Sequence, residues 1–228
     1  MAGVNASLRR TLIFLAAAVV LTAAVLYSVF PQAVSPQLLP LAAVLVLIVI
    51  GFLYYELTRP SAQEAAAVAV LCAVAVAGRV LFAPLPNFKP VGAVVIIAGA
   101  VFGAPAGFIT GAVSALCSNL LFGQGAWTPW QMLGFGLAGA LAGALNHHGW
   151  LLKRARLCLF GVAMGYLYGV IVDGFYFIGY VEPSPEAVIA ALMGGLLFNT
   201  IHAAANGFFL FCFGEAWAKK LVRIRDKC

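Results

Sequence analysis

The stretch VGAVVIIAGAVFGAPAGFITGAVSALCSNLLF, residues 91–122, decides the fold class. It is apolar almost throughout, is broken once at Gly103-Ala-Pro-Ala106, and follows Pro84-Leu-Pro-Asn-Phe-Lys-Pro90, whose prolines end any helix arriving from the N-terminal side. Two runs result, 91–102 and 106–122, each short for an untilted crossing of a hydrocarbon core about 30 Å thick. Backbone groups left unpaired in lipid are costly, so helices are the natural spanning elements. Short or broken helices are tolerated where they are buried in protein or line a cavity. The pair reads equally as a pointer to a site or as two ordinary short spans joined by a tight turn.

Working outward, 64% of the 228 residues are hydrophobic and only 9% charged, far from the soluble pattern of about half apolar and a quarter charged. Strand-like alternation in segments of about 10 residues, the mark of an outer-membrane barrel, is absent. The net charge of +6 sits mostly at the ends of apolar runs, so it reads as membrane topology and not as a nucleic-acid face. Cys72, Cys117, Cys158, Cys212 and Cys228 show no CxxC spacing, and four of them lie in apolar segments where Cys packs as a small hydrophobe. Neither a disulfide framework nor a metal site nor a cofactor is expected. Leu8-Arg-Arg-Thr-Leu-Ile-Phe14 resembles a signal-peptide start, but the apolar stretch to Phe30 is long for one, and an uncleaved first helix is expected.

Eight spans are predicted, at about 11–30, 38–55, 62–82, 91–102, 106–122, 131–146, 157–180 and 187–217. The polar break Glu56 to Glu64 divides a two-helix extension, 1–60, from a six-helix core, 61–228. With the N-terminus inside, Arg9, Arg10, Arg59, Lys153, Arg154, Arg156, Lys219, Lys220, Arg223, Arg225 and Lys227 all fall in the cytoplasm, as the positive-inside rule requires. The expectation is an all-α integral membrane protein with both termini cytoplasmic.

Under this topology Arg79, Asn87, Phe88, Lys89, Asn119, Gln124, Trp127, Trp130, Gln131 and Asp173 converge on the outer side as a candidate pocket. Charged groups inside spans usually face a bundle interior or an aqueous cavity, so Arg79 and Asp173 either pair or read a polar ligand. Trp127 and Trp130, on Gly123-Gln-Gly-Ala-Trp-Thr-Pro-Trp-Gln131, read as an aromatic ligand clamp in preference to an interfacial belt. Ala65, Ala69, Ala73 and Ala77 recur every four residues and form a small-residue stripe that a partner helix can approach closely; internal packing is the bland alternative. Gly134, Gly136, Gly139 and Gly143 read as core packing. Asn199, His202 and Asn206 read as a polar packing cluster, with a deep pocket wall as the alternative. His147 and His148 read as a solvated helix terminus.

The six-span core with outer Phe88-Lys-Pro90, a Gly-rich hairpin, Ser118-Asn119 and Gly123-Gln-Gly-Ala-Trp-Thr-Pro-Trp-Gln-Met132 resembles the substrate-specific S components of energy-coupling factor (ECF) transporters, nearest to the cobalamin-type branch. The resemblance covers about 62–220. It implies a vitamin-binding subunit that takes its ligand from outside and works with a transmembrane T component and two cytoplasmic ATPases. It maps the T-component contact onto Ala65, Ala69, Ala73 and Ala77 and the ligand onto segments 85–90 and 123–131. Residues 1–60 depart from the six-span pattern. No Gly-x-x-x-x-Gly-Lys-Ser/Thr occurs, so a motor must come from partners or an ion gradient. The rival readings are a stand-alone secondary transporter with Asp173 as its coupling carboxylate, and an intramembrane serine protease using Ser114 and His202, which lacks the usual Gly-x-Ser-Gly context. An enzyme is not expected.

Overall fold

The computed structural model describes residues 6–29, 37–180 and 184–227. Residues 30–36, residues 181–183 and the side chains of His147 and His148 lie outside the described residues. The helices are α1 (Ala6–Val29), α2 (Leu38–Leu57), α3 (Ala62–Leu81), α4 (Val91–Phe102), α5 (Ala104–Phe122), α6 (Thr128–Leu145), α7 (Arg154–Tyr180), α8 (Pro185–Phe209) and α9 (Glu215–Arg225). A short 3-10 turn, His147–Leu152, links α6 to α7. Five helical stretches among the described residues are long and apolar enough to cross a membrane, the last running unbroken from Pro185 to Arg225. A helix lies at each of the eight apolar runs read from the sequence, and the last continues past residue 217 as α9.

Local chemistry sets the helix starts. Ser61 caps α3 by accepting from the Glu64 amide at 3.1 Å, and Ser184 caps α8 by accepting from the Ala187 amide at 3.1 Å, with Pro185 next in line. Between α4 and α5 the chain turns at Gly103 with φ 97°, a left-handed conformation that a side chain would resist.

The shortest helix is the centre of the bundle. All twelve residues of α4 are buried, as expected of a helix that is apolar on every face. At about 1.5 Å per residue it is far too short to cross the bilayer alone; α3, α5, α6, α7, α8 and α9 surround it. Glycine permits the closest of these contacts: a Cβ on Gly99 would lie 1.9 Å from the Gly139 carbonyl oxygen, and one on Gly139 2.2 Å from that of Gly107. The helices α4, α5 and α6 therefore touch backbone to backbone.

Helix α2 packs on α5 and α6 through buried Val44 and Ile48, with the Phe108 ring seated over Gly51, whereas α1 packs chiefly on α2. At one end of the bundle Arg225 donates to the Val101 carbonyl at 3.1 Å and Asn146 to the Ala100 carbonyl at 2.6 Å, closing the C-terminal carbonyls of α4. This is the end that carries the basic residues assigned to the cytoplasm. Arg79, Asn87, Asn119 and Gln131 gather at the opposite end.

Candidate functional site

Residues of α3, α5 and α6 build a polar cluster at the outer end. Arg79 Nη1 donates to Ser118 Oγ and, at 2.8 Å, to Asn119 Oδ1. Asn119 Nδ2 then donates to Gln131 Oε1 at 2.7 Å and to Thr128 Oγ1 at 3.0 Å, while Thr128 Oγ1 donates to Gln124 Oε1 at 2.8 Å. The guanidinium also lies 5.0 Å from the Phe122 ring centroid. Four of the expected pocket residues, Arg79, Asn119, Gln124 and Gln131, are thus joined in one chain of hydrogen bonds. Ser118 and Thr128 complete it; both stood inside the family-like motifs without being singled out as site residues.

The loop between α3 and α4 is fastened from within and from across. Lys89 Nζ donates to the carbonyls of Phe82, Ala83 and Leu85, which ties the loop to the end of α3. Desolvation, followed by the nearby Arg79 charge, holds its pKa below the ordinary lysine value. Asn87, in the left-handed region at φ 52°, donates from Nδ2 to the Phe198 carbonyl at 3.3 Å, midway along α8. Phe88 packs on Phe208 and Phe209, with ring centroids 5.5 and 5.4 Å away.

A cavity of about 780 Å³ opens between α6, α7, α8 and this loop. Its polar groups are Asn87, Gln131, Asp173 and Asn199, and its aromatic walls are Tyr168, Tyr176 and Phe198. Asp173 accepts from Asn199 Nδ2 at 2.7 Å, so Asp173 and Arg79 are held by separate partners and do not form the pair left open by the sequence. Of the expected pocket residues, Asn87, Gln131 and Asp173 line the cavity; Arg79, Phe88, Lys89, Asn119, Gln124, Trp127 and Trp130 do not. Tyr168 and Asn199 do line it. Tyr168 carried no signal in an aromatic-rich span, and Asn199 was read first as packing.

The two tryptophans differ. Trp127 is 43% exposed and lies over Gly125. Trp130 is 9% exposed, stands 6.0 Å from the Phe175 ring centroid, and keeps its indole N–H buried without a protein acceptor. Deeper in the bundle the His202 ring lies against Tyr168, with centroids 4.7 Å apart, and meets Phe135 edge to face at 5.8 Å. Ser114 is buried, with the Cys72 thiol as the neighbour of its hydroxyl. Ser114 and His202 therefore have separate surroundings and form no nucleophile–base pair. Ala65, Ala69, Ala73 and Ala77 all face outward along α3. They line an apolar groove of about 1440 Å³, flanked by Tyr55 of α2 on one side and Phe213 and Trp217 on the other.

The structure is thus a helical membrane bundle with a polar, aromatic-walled cavity at one end, of a size usual for small-molecule sites. The family described as ECF-type riboflavin transporter, S component, matches residues 59–211, and the chain belongs to it. The match takes in α3 to α8 and leaves out α1 and α2. Comparisons with curated proteins and with solved structures returned no match. The chain is therefore a multi-pass membrane protein and the vitamin-binding subunit of an ECF transporter, a transport component and not an enzyme, of the kind that works with a T component and ATPases.

Proposed function

We propose that this subunit captures a flavin-type vitamin, riboflavin itself or a close relative, in the cavity between α6, α7 and α8. The observation that carries the reading is the cavity's make-up: three aromatic side chains, Tyr168, Tyr176 and Phe198, beside the amide and carboxylate groups of Gln131, Asn199 and Asp173. Aromatic walls suit a planar ring system, and the polar groups suit its imide edge or a hydroxylated chain. At about 780 Å³ the cavity falls within the roughly 300–1,000 Å³ usual for small-molecule sites. A corrinoid with its nucleotide arm is several times larger than a flavin, so we prefer the flavin to the cobalamin-type ligand expected from the sequence.

The side-chain amide of Asn87, on the α3–α4 loop, supplies a further donor to the cavity. Arg79, Asn119, Gln124 and Lys89 act by holding the loops that frame the cavity, and Trp127 covers the 123–127 turn. On the other face of α3, the exposed alanine stripe receives a transmembrane helix of the T component, because small side chains let backbones approach closely. In this reading the T component and two cytoplasmic ATPases supply the energy, and the subunit sits in the cell membrane.

Titration of the purified protein in detergent with riboflavin, followed by flavin fluorescence, is the test, with cobalamin and thiamine in parallel. Saturable riboflavin binding supports the reading. Binding of cobalamin with riboflavin ignored would return the assignment to the corrinoid branch.

A further inference from the structure

The partner groove on α3 and the ligand cavity on α7 and α8 are separate, yet they share one piece of chain. Phe82 and Pro90, at the two ends of the α3–α4 loop, line the groove, while Asn87, inside the same loop, lines the cavity. Pro90 closes onto α3 itself, since a Cβ on Gly78 would stand 2.5 Å from its Cγ. Phe209 joins the two sides. It lines the groove, meets Phe82 edge to face with centroids 5.1 Å apart, and meets Phe88 at 5.4 Å. Phe88 is next to Asn87, whose amide reaches the Phe198 carbonyl on the cavity wall.

We infer that Phe209 is the positioning residue through which a helix seated in the groove alters ligand affinity, by way of the Phe82–Phe209–Phe88 contact and the loop that carries Asn87. This rests on the proposed function, in which a T-component helix fills the groove and a flavin fills the cavity. The physical argument is one of packing. Close-packed aromatic rings transmit displacement because they rearrange between discrete arrangements and do not compress. A partner that shifts Phe82 or Phe209 must repack Phe88, and Asn87 with it. The long last helix has a π-turn at Leu210–Gly214 immediately after Phe209, and such turns concentrate at functional positions because they interrupt the regular hydrogen-bond ladder.

The test is a coupling measurement. Riboflavin affinity is measured by flavin fluorescence for the subunit alone and for the subunit assembled with its T component and ATPases in nanodiscs, and the ratio of the two is the coupling factor. The wild type is expected to show a ratio of about fivefold or more, and by linkage riboflavin must change partner affinity by the same factor. Phe209→Leu and Phe82→Leu should each bring the ratio to within about twofold of one, even where either binary affinity moves. Phe211→Leu, on the same helix but exposed and lining neither the groove nor the cavity, should keep the wild-type ratio. A wild-type ratio of one, or a ratio unchanged in Phe209→Leu, overturns the inference. A wild type that binds no riboflavin overturns the flavin reading itself, and the inference with it.

Discussion

Asn199 Nδ2 donates to Asp173 Oδ2 at 2.7 Å, which joins α8 to α7 at the wall of the cavity. Glycines make the room for it: a Cβ on Gly195 would lie 2.1 Å from Asp173 Oδ2, and one on Gly169 2.2 Å from Asn199. The contact leaves the second carboxylate oxygen and the Asn199 carbonyl to serve other partners. Asp173→Ala and Asn199→Ala should each weaken riboflavin binding by about tenfold or more, since each removes a hydrogen-bonding group from a desolvated site. Gly195→Ala should do the same by displacing the carboxylate. Fluorescence titrations unchanged in all three variants would exclude this cavity as the site.

The indole N–H of Trp130 is buried without an acceptor, and an unmet buried donor costs about 1–3 kcal/mol. Trp130→Phe removes that donor, so it should leave the melting temperature of the ligand-free protein the same or higher, with riboflavin affinity within about threefold of wild type because Trp130 does not line the cavity. Trp127→Phe should change little. A loss of affinity of about tenfold or more in Trp130→Phe would show instead that the ligand reaches the indole.

Ala69→Leu and Ala73→Leu fill the floor of the groove without reaching the cavity on α7 and α8. Copurification with a T component and vitamin uptake in cells should both be abolished, with riboflavin affinity of the isolated subunit within about threefold of wild type. Loss of ligand binding in step with uptake would mark the stripe as internal packing.

Arg79 is held by Ser118 and Asn119. Arg79→Met leaves Asn119 Oδ1 in a buried position without its donor, which should cost about 1–3 kcal/mol of stability. Denaturation in mixed micelles gives the value. Combining Arg79→Met with Asn119→Leu should cost less than the sum of the two single changes, because they break one contact between them; strict additivity would refute the linkage.

A methyl group at Gly139 would collide with the Gly107 carbonyl, whereas nothing stands within 4 Å of the Cβ position at Gly194. Gly139→Ala should therefore reach or exceed the upper end of the roughly 1–3 kcal/mol seen for overpacked cores. Gly194→Ala should leave the melting temperature almost unmoved, and a comparable loss in both would show that the helix contact is looser than the structure has it.

Much of the helix pattern was legible because its causes are local. Pro84, Pro86 and Pro90 end one helix and delay the next, Gly103 turns the chain between two apolar runs, and Ser61 and Ser184 cap α3 and α8. The outer clustering of polar residues was legible in part. Arg79, Asn119, Gln124 and Gln131 do meet, but as a network that ties helix ends together, and Lys89 turns back onto the carbonyls of its own loop. Those choices depend on which acceptors stand within about 3 Å, and spacing along the chain does not carry that information.

The sequence by itself determined that this chain lives in a membrane, where its spans fall, which ends carry the basic residues, and that α3 has a stripe of alanines. Each follows from the length of apolar runs, from helix breakers and from charge, all properties of neighbouring residues. Only the tertiary structure decided that twelve-residue α4 is the hub of the bundle, that Trp130 is buried while Trp127 is exposed, and that Asn87 reaches Phe198 across 111 positions of chain. The physical reason is rotation. Every helix here but the charged, amphipathic α9 is apolar nearly all the way round, so its own sequence does not say which face turns inward; the backbone contacts among Gly99, Gly107 and Gly139 set the helix separations, and the side chains that share a cavity follow from them.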